Sequence, residues 1–177
     1  MVRSANVSKQ TTSTMSSWRV KLEELLRSSS SQSVVFIGVG HPLRGDDYVG
    51  SYIVKDLIKR SKKKRSVRLF DAEGSVETVI AKVVELRPKH VIFIDACEMN
   101  GRPGETHLLS IGQTDYPFFT THAIPLKLLA QKMLSESAAW VLAIQPKQVQ
   151  FSGSLSPEVH EAGVSISEYI LTRMEQL

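Results

Sequence analysis

The chain has 177 residues, a length typical of one domain, and its 42% hydrophobic and 23% charged residues are ordinary for a globular protein. Its one cysteine, Cys97, excludes an intrachain disulfide and fits a reducing compartment, so we expect a cytoplasmic protein. The net charge of +4 is mildly basic, no apolar run approaches the ~18 residues of a membrane span, and the Ser/Thr-rich start lacks the apolar stretch of a signal peptide.

The first 33 residues are predicted to be a flexible tail followed by an amphipathic helix from Trp18 to about Ser28. The apolar positions of that helix recur at i, i+4, i+7 and i+8, as one helical face requires, and they are Trp18, Leu22, Leu25 and Leu26. We treat residues 1–33 as an appendage to a single α/β domain that covers residues 34–177.

Five short apolar runs then predict β-strands, and the clearest of them show no alternation, as in strands covered on both faces. The predicted strands are residues 34–37, 67–70, 90–94, 106–111 and 139–144. Helical spacing predicts helices over 47–59, 76–86 and 126–134, and a last helix that begins at Pro157 with Ser156 as its N-cap.

Strands that alternate with helices predict an α/β three-layer sandwich, in which a mainly parallel five-stranded sheet lies between helices. The connection between the third and fourth strands contains Gly101, Pro103 and Gly104 and is short, which allows one antiparallel strand and hence a mixed sheet.

A run of six basic residues lies between Lys59 and Arg65 and supplies much of the excess positive charge. Such a run suits either nucleic acid or a solvated loop at a helix C-terminus. No aromatic residue interleaves it and no known nucleic-acid module surrounds it, so we predict the solvated loop and no nucleic-acid partner.

Three polar clusters follow predicted strands or precede a predicted helix, at positions where open α/β sheets bind their ligands. They are Gly38–Asp47, Asp95–Glu98 and Thr120–His122. Two carboxylates and an imidazole from three segments can hold a divalent metal and leave coordination positions open. These residue types suit nickel, zinc, manganese or iron and do not choose among them.

Other interpretations of the same residues stay open at this point. The glycine-rich turn after the first strand suggests a phosphate site, but it lacks the third glycine of the fingerprint and carries two carboxylates. Asp46 and Asp47 both suit a helix start, where one aspartate would cap. Asp95 ends an apolar run and serves either a loop or a metal.

The first of these clusters resembles the opening motif of NiFe-hydrogenase maturation endopeptidases, in the pattern Gly38-x-Gly40-x-x-Leu43-x-x-Asp46-Asp47-x-x-Gly50. Asp95 matches the family's second acidic position, and His122 matches its histidine before a helix. Gln145-Pro146 and Gly153-x-Leu155-Ser156-Pro157-x-Val159 resemble its closing motif. The four matches occur in the family's order from Val34 onward and are closer to the hydrogenase-3 type.

The resemblance implies a peptidase of the aspartic-type grouping with a phosphorylase/hydrolase-like sheet. It implies that Asp47, Asp95 and His122 contact nickel and form the catalytic site, with Asp46 as the helix cap behind them. It implies, as partner, the precursor of a hydrogenase large subunit, whose C-terminal extension is removed after nickel insertion. We expect the nickel to be presented by the substrate, and the enzyme to be a monomer.

Two residues depart from the family pattern, and both flank Asp47. His41 stands where the family usually has Asn, and Tyr48 stands where it usually has a small residue. Two rival functions also remain: a cysteine hydrolase that uses Cys97 with His122, and a non-catalytic nickel-binding accessory protein.

Overall fold

The computed structural model describes residues 17–27, 33–61, 67–73, 75–111, 119–120, 134 and 136–176. Its helices are α1 (Trp18–Arg27), a 3-10 helix (Gly45–Tyr48), α2 (Val49–Arg60), α3 (Glu77–Glu85) and α4 (Pro157–Gln176). Its strands are β1 (Val34–Val39), β2 (Arg68–Glu73), β3 (His90–Glu98), β4 (Thr106–Ser110), β5 (Phe119–Thr120) and β6 (Ala138–Ile144).

The main sheet has the strand order β2-β1-β3-β6-β4, which confirms the five predicted strands. β2, β1, β3 and β6 run parallel, while β4 pairs antiparallel with β6, so the sheet is mixed. β5 is a two-residue antiparallel addition to the end of β3 and was not predicted. Parallel neighbours place the carboxyl ends of β2, β1, β3 and β6 together, at what we call the carboxyl end of the sheet.

Two hydrophobic layers cover the sheet, one on each face. On one face the side chains of α1, α2 and α4 pack against alternate residues of β1 and β3, such as Phe36 and Ile92. On the other face α3 packs against the intervening residues, such as Ile37 and Phe93. Because β1 and β3 are buried on both faces, their sequences read as continuous apolar runs.

Helix α1 belongs to the first of these layers. Trp18, Leu22 and Leu26 are buried in the same cluster as the residues of the sheet, which confirms the amphipathic helix. The Trp18 ring also meets Tyr169 of α4 edge-on, with 5.2 Å between ring centroids. The helix predicted as an appendage therefore contributes directly to the hydrophobic core.

The element boundaries differ from the predictions at two places. β3 continues through Asp95 to Glu98, so Asp95 lies inside a strand and not at its end. β2 begins one residue later than predicted and continues to Glu73. The predicted helix over 126–134 lies outside the described residues except for buried Leu134, and the tail over 1–16 lies outside them entirely. Among the described helices, none has the combination of length and apolarity needed to cross a bilayer.

Candidate functional site

The loop between β1 and α2 turns back on itself and presents Asp47 at the carboxyl end of the sheet. Gly40 has φ +138°, and a Cβ there would lie 1.8 Å from the backbone oxygen of Asp47, so only glycine fits. The backbone N–H of His41 donates to Oδ2 of Asp47 at 3.0 Å, which closes the turn.

The two departures from the family pattern are accommodated in this loop. Nδ1 of His41 accepts a hydrogen bond from the N–H of Leu43 at 3.2 Å, so the imidazole stabilises the turn itself. Tyr48 has φ −70° and ψ −9°, an ordinary helical conformation that any residue adopts, so no glycine is needed there. Its ring lies against Tyr52 and under the ammonium of Lys55.

Asp47 is fully buried, and its two carboxylate oxygens differ in their contacts. Oδ2 accepts the His41 N–H, whereas Oδ1 has no hydrogen-bond partner within the described part of the chain. A buried carboxylate oxygen is costly to leave without a partner. Oδ1 is therefore an acceptor available to a ligand, and carboxylate oxygen is among the donors that suit nickel.

Asp95 is fully buried in β3 and lies opposite Ala143 of β6. The start of α2 approaches this strand very closely, because a Cβ on Gly50 would lie 1.9 Å from the backbone oxygen of Ile94. The segment that carries Asp47 and the strand that carries Asp95 are thus in backbone contact at the carboxyl end of the sheet.

His122, the third predicted site residue, lies outside the described residues. The nearest described residue before it is Thr120, which pairs with Cys97 in the short antiparallel ladder between β3 and β5. Among the residues that the structure describes, no three His, Cys, Asp or Glu side chains form a group able to hold a metal ion.

Asp46 is not the helix cap that the resemblance implied. Neither the 3-10 helix nor α2 has a side-chain cap hydrogen bond. Instead, the buried Asp46 carboxylate accepts the N–H groups of Lys147 and Gln148 at 2.9 Å, the N–H of Ser156 at 2.6 Å and the Ser156 hydroxyl at 2.9 Å. Asp46 therefore joins the loop between β1 and α2 to the segment 147–156 before α4.

Sequence reasoning missed Asp71 at the end of β2. Its Oδ1 lies 2.7 Å from the Ser51 hydroxyl, and its Oδ2 lies 3.2 Å from the Lys55 ammonium. Burial lowers the pKa of Lys55, but hydrogen bonds to Glu73 and Asp71 outweigh it and raise that pKa above its usual value. The sequence signal that could have indicated Asp71 is an acidic residue directly after a predicted strand.

Gln145, named in the closing motif, organises the turn after β3. Its Oε1 accepts the N–H groups of Met99 at 2.7 Å and Gly101 at 3.2 Å, while its Nε2 donates to Glu98 at 2.9 Å. The residues of the closing motif thus have a structural role, because their side chains hold two loops at the carboxyl end of the sheet.

Cys97 does not have the properties of a nucleophile. It is fully buried in β3, and burial, with the nearby charge of Asp95, raises the pKa of its thiol well above the usual value. A nucleophilic cysteine needs an accessible thiolate, which this environment opposes. The geometry therefore argues against a cysteine hydrolase.

Comparisons with known proteins agree with this arrangement. A family model described as hydrogenase maturation protease matches residues 51–173. A Methanocaldococcus jannaschii protein named as a candidate hydrogenase maturation protease is 28% identical over 155 residues, covering 82% of this chain and 90% of its own length. The hydrogenase 3 maturation protease of Escherichia coli K12 is 28% identical over 130 residues, covering 72% of this chain and 82% of its own.

A solved structure shows the same fold. The [NiFe] hydrogenase maturation protease of Thermococcus kodakarensis superposes with a TM-score of 0.78 at 24% identity. The match covers 88% of this chain and 99% of that one, so the whole architecture is shared and not a single motif.

Proposed function

The chain belongs to the hydrogenase maturation protease family, and on that premise we propose that it removes the C-terminal extension of a NiFe-hydrogenase large-subunit precursor once nickel is in place. The observation that carries the proposal is the buried Asp47, whose Oδ1 has no hydrogen-bond partner within the described residues. Every side chain that the proposal uses belongs to one chain, so we propose that the enzyme acts as a monomer.

Asp47, Asp95 and His122 are proposed to contact the nickel ion that the precursor carries. Cys97 lies opposite Thr120, and two residues of chain span at most about 7 Å. In the sequence, His122 is two residues after Thr120 and Asp95 is two residues before Cys97, and this short separation supports the proposal that both belong to one site. Carboxylate and imidazole donors together suit nickel.

Nickel held by the substrate would act as the anchor that positions the scissile peptide. Correct positioning of a reacting bond contributes several kcal/mol to catalysis. A water molecule activated by the metal or by one of the carboxylates would add its oxygen to the peptide carbonyl. The C–N bond would then break, and the amine would leave with a proton from that water. A precursor without nickel lacks the anchor and is spared.

The test is cleavage of a purified large-subunit precursor, prepared with and without nickel, by the wild-type protein and by Asp47→Asn. We expect removal of the extension only with nickel, and a loss of roughly 100-fold or more in the variant because the substrate is misplaced. Asp56→Asn is the matched control, since that carboxylate pairs with Arg60 on α2. Equal cleavage with and without nickel would contradict the proposal.

Two further measurements separate the rival functions. Cys97→Ala should retain cleavage, because the thiol is buried and its pKa is raised; complete loss in a folded variant would favour the cysteine hydrolase. The free protein should bind nickel weakly, since the metal comes with the substrate. Nanomolar binding without cleavage would instead indicate a nickel-binding accessory protein.

A further inference from the structure

Two exposed apolar side chains lie in or beside the loop that carries Asp47. Phe151 is 84% exposed and Leu43 is 47% exposed, whereas most large apolar side chains of the described residues are buried. Leu43 precedes Asp47 by four residues in the same loop, so this apolar pair borders the proposed nickel contact.

The backbone places Leu43 and Phe151 next to each other. Arg44 and Ser152 form a parallel bridge, and Leu43 and Phe151 immediately precede these two residues. The N–H of Ser152 donates to the Leu43 oxygen at 3.0 Å, and the N–H of Gly45 donates to the Ser152 oxygen at 2.8 Å. Paired strands run about 4.8 Å apart, so the two side chains can contact one ligand group.

The pair is also held in place before any ligand arrives. The Asp46 carboxylate binds three backbone N–H groups and one hydroxyl of the segment 147–156, and the N–H of Asp46 donates to the Gln148 oxygen at 3.0 Å. An exposed aromatic side chain on a fixed backbone loses little conformational entropy on binding, which is typical of residues that dominate an interface.

The charge beside the pair is positive. Arg44 lies between Leu43 and Gly45, its side chain is exposed, and it forms no ion pair with a described residue. Lys147, at the start of the opposite segment, is paired with Glu158. A ligand that brings a carboxylate near its apolar group would find Arg44 available.

We propose that Leu43, Arg44 and Phe151 form a docking site for the precursor segment beside the scissile bond, which presents a large apolar side chain with a carboxylate nearby. The inference rests on the proposed function and deepens it, because it assigns substrate affinity to residues that hold no metal. The site is continuous with the loop that carries Asp47. Because the substrate's nickel is proposed to bind there, the substrate is the expected occupant of the docking site.

The test compares Phe151→Ser, Leu43→Ser and Arg44→Gln with the wild type, using the nickel-loaded precursor. We expect KM to rise roughly 10- to 100-fold for Phe151→Ser and less for Leu43→Ser, as lost apolar burial predicts, with kcat within about two-fold. Arg44→Gln should raise KM at low salt and reduce its dependence on ionic strength. Ile58→Ser is the matched control, because Ile58 is 50% exposed near the end of α2.

Direct binding of the precursor, measured by calorimetry, separates failure of this inference from failure of the proposed function. If the wild type cleaves and both serine variants keep its KM, the docking site is wrong and the proposed function stands. If the wild type does not cleave, the proposed function fails, and binding decides the docking site: weaker binding by Phe151→Ser supports it, while equal binding overturns it.

Discussion

At the scale of single residues, the adjacent carboxylates of Asp46 and Asp47 have opposite hydrogen-bonding states. Asp46 accepts four hydrogen bonds from residues that lie 101 to 110 positions later in the chain. Oδ2 of Asp47 accepts a hydrogen bond from His41 in its own loop. Because burial of a carboxylate needs compensation, Asp46 is satisfied by the protein itself, while Oδ1 of Asp47 has no hydrogen-bond partner within the described residues.

Replacing Asp46 with Asn should destabilise the fold. The amide has the same shape, but its oxygen is a neutral acceptor, and its NH₂ group would face donors of the segment 147–156 instead of accepting from them. We expect the free energy of unfolding to fall by about 1–3 kcal/mol. Urea denaturation measures this, with Asp56→Asn as the control for a partly exposed carboxylate, where the change should stay below about 1 kcal/mol. Equal effects of the two changes would show that the Asp46 contacts contribute little.

His90, at the start of β3, predicts a pH dependence of stability. Both ring nitrogens are buried and have no hydrogen-bond partner within the described residues. Burial, and then the charge of Lys89, lowers the pKa of His90 below its usual value of 6.5. As pH falls below about 6.5, the unfolded chain takes up a proton that the folded chain resists, so stability decreases.

His90→Phe should remove this decrease, since the ring beside Trp140 can no longer be protonated. The free energy of unfolding, measured between pH 7.5 and about 5, should fall less in this variant than in the wild type. His160→Gln, at an exposed position, should leave the wild-type slope in place. A slope unchanged in His90→Phe would locate the pH dependence elsewhere.

At the scale of the elements, the sequence predicted the strands and helices whose apolar residues follow a local pattern. β1, β3 and β6 have continuous apolar runs because they lie inside the sheet, and α1 and α2 have apolar faces at helical spacing. The antiparallel direction of β4 follows from its short connection to β3.

What the sequence did not predict depends on partners far along the chain. β3 continues past Asp95 through residues whose types do not favour a strand, because β6 pairs with it as far as Ala96. β5 has two residues and no periodicity. For the site, the turn that carries Asp47 could be anticipated. The buried state of Asp47 and the role of Asp46 could not, since Ser156 gives no sign in sequence of lying beside Asp46.

Substitution of Gly50 tests how closely α2 packs on the sheet. A Cβ there would lie 1.9 Å from the Ile94 oxygen and 2.4 Å from the Val39 oxygen, both on the backbone. Gly50→Ala should therefore cost about 3 kcal/mol or more, although alanine ordinarily favours a helix by about 1 kcal/mol.

The matched control is Gly163→Ala in α4, where the nearest atoms belong to the Tyr52 ring at 3.3 Å and a side chain can shift. That change should alter stability by less than about 1 kcal/mol. Thermal denaturation of both variants measures the difference in stability. Similar losses of stability would show that the close contact of α2 with the sheet does not restrict residue 50 to glycine.

At the scale of the whole molecule, α1 and the sheet share one core. Trp18 of α1 is part of the same hydrophobic cluster against which Trp140 of β6 packs. Elements that share a core in a domain of this size unfold together. The two tryptophans should therefore report a single transition.

Single-tryptophan variants test this expectation. In Trp140→Phe the fluorescence comes from α1, and in Trp18→Phe it comes from β6. Within each variant, the urea midpoint by fluorescence should equal the midpoint by far-ultraviolet circular dichroism. A lower fluorescence midpoint in Trp140→Phe alone would show that α1 melts separately.

The hydrogen bonds of Asp46 also have a consequence for biosynthesis. Ser156 lies 110 residues after Asp46, and Lys147 lies 101 residues after it. Such distant partners close late in folding, and a chain emerging from the ribosome lacks them until most of it has been made. The loop that carries Asp46 and Asp47 therefore lacks these hydrogen bonds through most of the synthesis of the chain, and it gains them only when the segment 147–156 has been released.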